Sequence, residues 1–196
     1  EFPFSNVSLR QFHGIELDEF AHETATLSLW LAEHQMNKAF ESRFQTHVDA
    51  LPLRRSGNIV HGNACRVDWN TVCPHTPDEE VYIMGNPPYL GSSKLDKSQQ
   101  DDRTVAIGKF QNYKKIDYIG IWFIKGAIYI QNSNARCAFV STNSVCQGEM
   151  VEPLWAPILS MDVLIRFAHL SFKWSNNAKQ NAAVFCVIIG LENKEK

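Results

Sequence analysis

Apolar positions along the chain fall into short continuous or alternating runs separated by segments of helical periodicity. Val81-Tyr82-Ile83-Met84, Ala135 to Thr142, Val163 to Ala168 and Ala182 to Ile189 each have the length and β-branched or aromatic content of a strand. The last is apolar without interruption, which suits an interior strand covered on both faces. Two further strands are predicted upstream: Gln11 to Leu17, which alternates and ends on the acid Glu16, and Asn58 to Ala64, which runs into a turn. Helical spacing links Phe20, Thr24, Leu27 and Leu31, with Trp30 and His34 beside them, and Asp18 is placed to cap that helix. A second helix carries Ile116, Ile119, Phe123, Ala127 and Ile130 on one face, and Ile121, Trp122, Ile124 and Ile128 make it apolar nearly all round. Such a helix is expected to be buried against a sheet. Glu152 to Leu159 reads as a short helix with Pro153 in its first turn and Pro157 ending or bending it. Strands alternating with helices indicate an α/β domain.

Composition narrows the class. The 196 residues are 44% hydrophobic and 20% charged, as in an ordinary globular domain, and no apolar run approaches the length of a membrane span. The expectation is a cytoplasmic protein with no membrane partner. Five scattered cysteines, none in a Cys-x-x-Cys pair, read as reduced thiols. The loose grouping of Cys65, Cys73 and His75 makes a poor zinc site, and no metal is expected. A net charge of −2 argues against a chain that is basic throughout. Between Gly91 and Lys115, however, Lys94, Lys97, Arg103, Lys109, Lys114 and Lys115 outnumber Asp96, Asp101 and Asp102. That segment reads either as a solvated loop or as a lid contacting phosphates, with Lys94, Lys97 and Arg103 as the candidate contacts.

The basic segment follows the most distinctive stretch of the chain, Gly85-Asn86-Pro87-Pro88-Tyr89, which begins where the strand over 81–84 ends. Two prolines remove two N–H groups and fix φ, so neighbouring carbonyls lack ladder partners and can face a ligand. The Asn86 amide oxygen adds an acceptor, and Tyr89 adds a flat ring. An acceptor cluster under a stacking platform suits a planar molecule bearing an amino group, such as adenine. Nothing in the stretch is a nucleophile or a metal ligand.

This motif resembles motif IV of the S-adenosylmethionine-dependent amino-methyltransferases, Asp/Asn/Ser-Pro-Pro followed by an aromatic residue. Its context is more specific. Phe-His-Gly-Ile-Glu-Leu-Asp-Glu-Phe-Ala, Gly-Asn-Pro-Pro-Tyr-Leu-Gly-Ser-Ser, Ser-Thr-Asn-Ser-Val-Cys-Gln-Gly-Glu and Phe-Lys-Trp-Ser-Asn-Asn-Ala-Lys occur in this order. Together they are similar to the methyltransferase region of the MmeI-like bacterial restriction-modification enzymes, with motifs II to VIII of an adenine-specific DNA methyltransferase spread over nearly the whole chain. The resemblance implies a doubly wound, Rossmann-like methyltransferase fold: a mostly parallel sheet with an antiparallel last strand. It also implies transfer of a methyl group from S-adenosylmethionine to the exocyclic amine of a flipped adenine. In that reading Asn86, Pro87, Pro88 and Tyr89 are catalytic. Glu16, Leu17 and Asn63 hold the cofactor, Asn63 standing where the broader family often has an acid. Tyr89 and either Trp174 or Phe172 enclose the target base.

No Gly-x-Gly turn precedes Glu16. The family's first strand and its glycine-rich motif I are therefore expected to be missing, making residues 1–196 part of a single methyltransferase domain, truncated at its N-terminus. The implied partners are double-stranded DNA and the other parts of a parent chain: the motif I segment and a target-recognition domain, with or without a nuclease. The absent strand would lie between the second and fourth, so weak or no cofactor binding, and self-association through two exposed strand edges, are expected of this chain by itself. Methylation of RNA or of a protein glutamine amide uses the same receptor and stays open, as does a non-catalytic DNA-binding or assembly module with a methylase fold.

Overall fold

The computed structural model describes residues 7–45, 58–173 and 185–194. The chain divides into two compact units, residues 1–74 and 75–196.

In the first unit, a 3-10 turn at Leu9–Gln11 leads into β1 (His13–Glu16), which pairs in parallel with β2 (Asn58–His61). The register sets Glu16 opposite His61, so both strands end together. Between them runs α1 (Glu19–Phe44), started as expected by Asp18, whose carboxylate accepts the Ala21 N–H at 2.9 Å. The predicted stripe of Phe20, Leu27 and Leu31 lies exposed, at 80%, 52% and 53%. A single turn, α2 (Trp69–Val72), follows β2, capped by Asp68 and anchored by the Trp69 indole N–H on the Ala64 carbonyl at 2.9 Å.

The second unit contains a four-stranded sheet in the order β3-β4-β6-β5, with β3 (Tyr82–Gly85), β4 (Arg136–Thr142), β5 (Val163–Lys173) and β6 (Phe185–Asn193). β3 and β4 are parallel, and β6 is antiparallel to both β4 and β5. Three strands therefore share a direction and the last opposes them, as the resemblance implies. β6 is interior, and Cys186, Val187, Ile189 and Leu191 on it are buried. Among the described residues, β1 and β3 are each paired along one edge only.

Helix α4 (Gly120–Ile130) follows the expected pattern, with Ile121, Phe123, Ile124, Ala127 and Ile130 wholly buried. Each large side chain of this kind contributes about 1.5–3 kcal/mol on burial. Phe123 meets Phe139 of β4 edge-on at 5.4 Å and Trp155 at 5.5 Å, the latter from α5 (Val151–Leu159), which carries Pro157 within it. The helix starts four residues later than the periodicity suggests. Residues 117–122 form successive i→i+3 turns, because Asp117 and Tyr118 are engaged with the loop after β3. Gly120 permits the close approach of this turn: a Cβ there would lie 2.2 Å from Ile116 Cγ2 and 3.2 Å from Met150 Cε. Gly120→Ala is accordingly expected to destabilise the protein by about 1–3 kcal/mol, read as a lower urea midpoint at constant m-value.

The basic stretch is not an open loop. Asp96 and Gln99 form a reciprocal capping box that starts α3 (Lys97–Ile107). No helix among the described residues is long and apolar enough to cross a membrane.

Candidate active site

In the second unit, parallel pairing brings the carboxyl ends of β3 and β4 to one edge of the sheet, where open α/β sheets hold their ligands. Gly85 closes β3 opposite Phe139, and the chain leaves the sheet through Asn86 and Pro87. Pro87 is buried, Asn86 and Pro88 are exposed, and Tyr89 is half-buried. The Tyr89 hydroxyl donates to Asn86 Oδ1, so the amide and the ring lie side by side. Burial holds the Tyr89 hydroxyl above its ordinary pKa; the nearby Cys186 thiol acts in the same direction, and the Asn86 bond opposes them. The phenol therefore stays protonated and remains a donor.

The segment beyond Tyr89 is tied down by the backbone. Tyr118 N–H donates to the Leu90 carbonyl at 2.9 Å, and Ser92 N–H donates to Asp117 Oδ1 at 2.7 Å. Residues 114–118 are held in turn by α3. Arg103 Nη1 donates to the carbonyls of Lys114 at 2.8 Å and Ile116 at 3.1 Å, and the Tyr118 hydroxyl donates to Asp102 Oδ2 at 2.8 Å. Asp102 is 3% exposed and Arg103 6%. This corrects one sequence expectation: Arg103 is not a surface cation reaching for phosphate but an interior clamp. Burial lowers its pKa, while Tyr113 and Asp117 pull the other way. Lys94, at the end of the 3-10 turn Ser92–Lys94, and Lys97, the first residue of α3, are exposed as expected.

β4 delivers Ser141, wholly buried, and Thr142, whose hydroxyl is 2.7 Å from that of Ser144. In the register Thr142 is opposite Cys186, and Phe172 faces Cys186 from β5. Phe172 thus lies on a strand rather than in a connecting loop. β5 continues five residues beyond its apolar run, with register shifts after Ile165 and His169 absorbing its irregular pattern. Trp174 lies outside the described residues. Cys186 was not singled out from the sequence, where it is one apolar position among eight; only the cross-strand register reveals it.

In the first unit, Glu16 and Asn63 gather at the carboxyl ends of β1 and β2. Gly62 N–H donates to the Glu16 carbonyl at 2.8 Å, and His61 Nε2 donates to the Leu17 carbonyl at 3.0 Å. Leu17 is 68% exposed. Asn63 Oδ1 accepts the Cys65 N–H at 2.9 Å and so shapes the turn after β2. A carboxylate beside an exposed apolar side chain at a parallel strand edge fits the ribose and the flat base of a nucleoside. Sequence reasoning overlooked His61, which is polar at a strand end and gives no signal of its own.

All five cysteines are free thiols, and burial pushes Cys137 up to about 12, far from a nucleophile at neutral pH. His75 stacks on Tyr129 at 4.5 Å, and no group of three His, Cys, Asp or Glu side chains among the described residues could hold a metal ion.

Residues 3–196 match the family model described as MmeI, DNA-methyltransferase domain. The chain is 52% identical over 186 residues to DNA methyltransferase A of Bacillus subtilis (strain 168), covering 94% of this chain and 21% of that protein. It is also similar to the Type IIL restriction-modification enzyme MmeI solved in complex with DNA, with a TM-score of 0.87 and 40% identity over 98% of this chain and 26% of the other. The chain therefore spans about a fifth to a quarter of the relatives it matches. Its sheet, its Asn-Pro-Pro-Tyr turn and these likenesses agree: the chain belongs to the MmeI DNA-methyltransferase domain family.

Proposed function

We propose that the full-length protein methylates the exocyclic amine of an adenine in double-stranded DNA, within a bacterial restriction-modification system, and that residues 1–196 supply part of its methyltransferase domain. The observation that carries this reading is the pairing of Asn86 Oδ1 with the Tyr89 hydroxyl at the carboxyl edge of β3. It sets an amide oxygen next to an aromatic ring, with the Pro87 carbonyl adjacent in the chain. The amine of adenine is a poor nucleophile because its lone pair is delocalised into the ring. Asn86 Oδ1 and the Pro87 carbonyl accept its two N–H groups, draw the nitrogen toward tetrahedral geometry and concentrate the lone pair. Positioning and electrostatics do this work without a covalent enzyme intermediate. Adenine must leave the duplex stack to reach these acceptors, and the Tyr89 ring receives it, with Phe172 and Trp174 as the candidates for the opposite wall.

S-adenosylmethionine supplies the electrophilic methyl group when bound. Glu16 would accept its ribose hydroxyls, Leu17 would cover its adenine, and Asn63 would shape the turn beside them. The glycine-rich motif I segment of the parent chain completes that site. Lys94 and Lys97 contact DNA phosphates in this reading; Arg103 does not. The solved relative in complex with DNA supports a DNA substrate over RNA or a protein amide.

The test is methyl incorporation by the full-length protein from labelled S-adenosylmethionine into duplex DNA, RNA and protein substrates. Label is expected in DNA alone, recovered as N6-methyladenine after digestion. Label in RNA or in protein glutamine would replace this reading, and salt-dependent DNA binding without any incorporation would indicate a non-catalytic module.

A further inference from the structure

The second unit carries a surface hollow of about 440 Å³, lined in part by residues that follow the Asn-Pro-Pro-Tyr turn in the chain. It is lined mostly by polar residues, Ser92, Ser93, Lys114, Lys115, Ser144 and Gln147 among them, with Met150 the apolar one. Ser92 begins three residues after Tyr89, and Ser144 follows the end of β4. The hollow is thus framed by the two loops that leave the carboxyl ends of β3 and β4. Those loops are held in place by the Ser92 N–H bond to Asp117 and the contact between the Thr142 and Ser144 hydroxyls, both 2.7 Å. Behind it, the Arg103 clamp on the Lys114 and Ile116 carbonyls fixes the backbone that presents both lysines.

Two acids also line the hollow, and each has a partner. Asp117 accepts from Ser92, and Glu149 pairs with Lys115 at 3.7 Å, with side chains 85% and 55% exposed, respectively. A pair that long and that exposed holds its lysine weakly. Serine and lysine residues around a concavity whose lining has no aromatic residue suit a tetrahedral anion, whereas a planar base would call for stacking rings. A nucleotide whose base enters the receptor beside Tyr89 leaves its flanking phosphates outside, close to the chain that follows that residue, where they need neutralisation.

We propose that this hollow holds a backbone phosphodiester of the DNA strand carrying the target base. Ser92, Ser93, Lys114 and Lys115 contact it, and Glu149 is a competing anion that DNA displaces from Lys115. The proposal rests on the reading of the Asn-Pro-Pro-Tyr turn as a DNA target-base receptor.

The experiment compares full-length wild type with Lys114→Gln, Lys115→Gln and Glu149→Gln, measuring Kd for a duplex containing the target site across a salt series. Each lysine variant should bind several-fold more weakly and lower the slope of log K against log salt by about 0.9. Glu149→Gln should bind more tightly than wild type, most clearly at low salt, because it removes the competitor. Lysine variants with unchanged Kd and slope, in a protein whose wild type methylates DNA, would overturn the phosphate site alone. A changed slope in a protein that incorporates no methyl group into DNA would uphold the site and remove the methylation reading. Equal effects on duplex RNA and DNA, with equal affinities, would overturn the assignment to DNA.

Discussion

Replacing Asn86 with alanine in the full-length protein is expected to lower the single-turnover rate of methyl transfer by about 10²–10³-fold, by analogy with loss of one preorganised hydrogen-bonding group at a reacting centre. Asn86 is exposed at the end of β3, its backbone is followed by two prolines, and its side-chain oxygen is already oriented by the Tyr89 hydroxyl. Truncation therefore removes an acceptor and leaves the fold intact, and the affinities for DNA and S-adenosylmethionine should stay close to wild type. Tyr89 separates two contributions. Tyr89→Phe keeps the ring and loses the hydroxyl that orients Asn86, so it should lower the rate less than Asn86→Ala does. Tyr89→Ala loses the stacking surface as well, about 1–3 kcal/mol of contact with the flipped base. Fluorescence of 2-aminopurine at the target position reads that loss directly. An Asn86→Ala protein that turns over at the wild-type rate would remove the amide from the mechanism.

Much of this arrangement could be read from the sequence because its cause is local. The apolar runs at 81–84, 135–142 and 163–168 appear as β3, β4 and the start of β5, and Asp18 caps α1 in the way its position before a helical pattern requires. The all-round apolar helix is buried because a chain of isoleucines and aromatics has no polar face to give to water. What escaped the sequence depends on pairing at a distance. Cys186 lies near Tyr89 because antiparallel register sets it opposite Thr142, and no periodicity encodes a register. The extension of β5 to Lys173 comes from ladder bonds to β6 across two irregularities, against a polar sequence that by itself reads as a loop. The turn over 117–119 replaces the first turn of the expected helix because its donors and acceptors serve the segment after Tyr89.

Arg103→Ala is expected to destabilise the protein by about 3 kcal/mol, from a cavity left at a buried position and two carbonyls deprived of their donor. Counting charges between Gly91 and Lys115 gives Arg103 the same weight as Lys94, and only burial distinguishes them: Arg103 is 6% exposed, and its Nη1 bridges Lys114 and Ile116. The capping box at Asp96 and Gln99 is the sequence signal that could have corrected this, since it starts a helix on which position 103 turns inward beside Asp102. Arg103→Lys should recover little of the loss, because one ammonium on a flexible stem does not reproduce the planar donors that reach both carbonyls. The two roles predict opposite outcomes in solution. A clamp gives a lower urea midpoint. A phosphate contact gives an unchanged midpoint and a slope smaller by about 0.9. Lys94→Ala, on the exposed turn, is the matched control and should leave the midpoint where it is. Because the clamp holds the backbone of Lys114 and Ile116, and Tyr118 beyond them binds the Leu90 carbonyl, its loss should also loosen the segment after Tyr89. Hydrogen exchange at the Tyr118 and Ser92 amides would then rise in Arg103→Ala before global unfolding, whereas a surface cation would leave both amides as protected as in wild type.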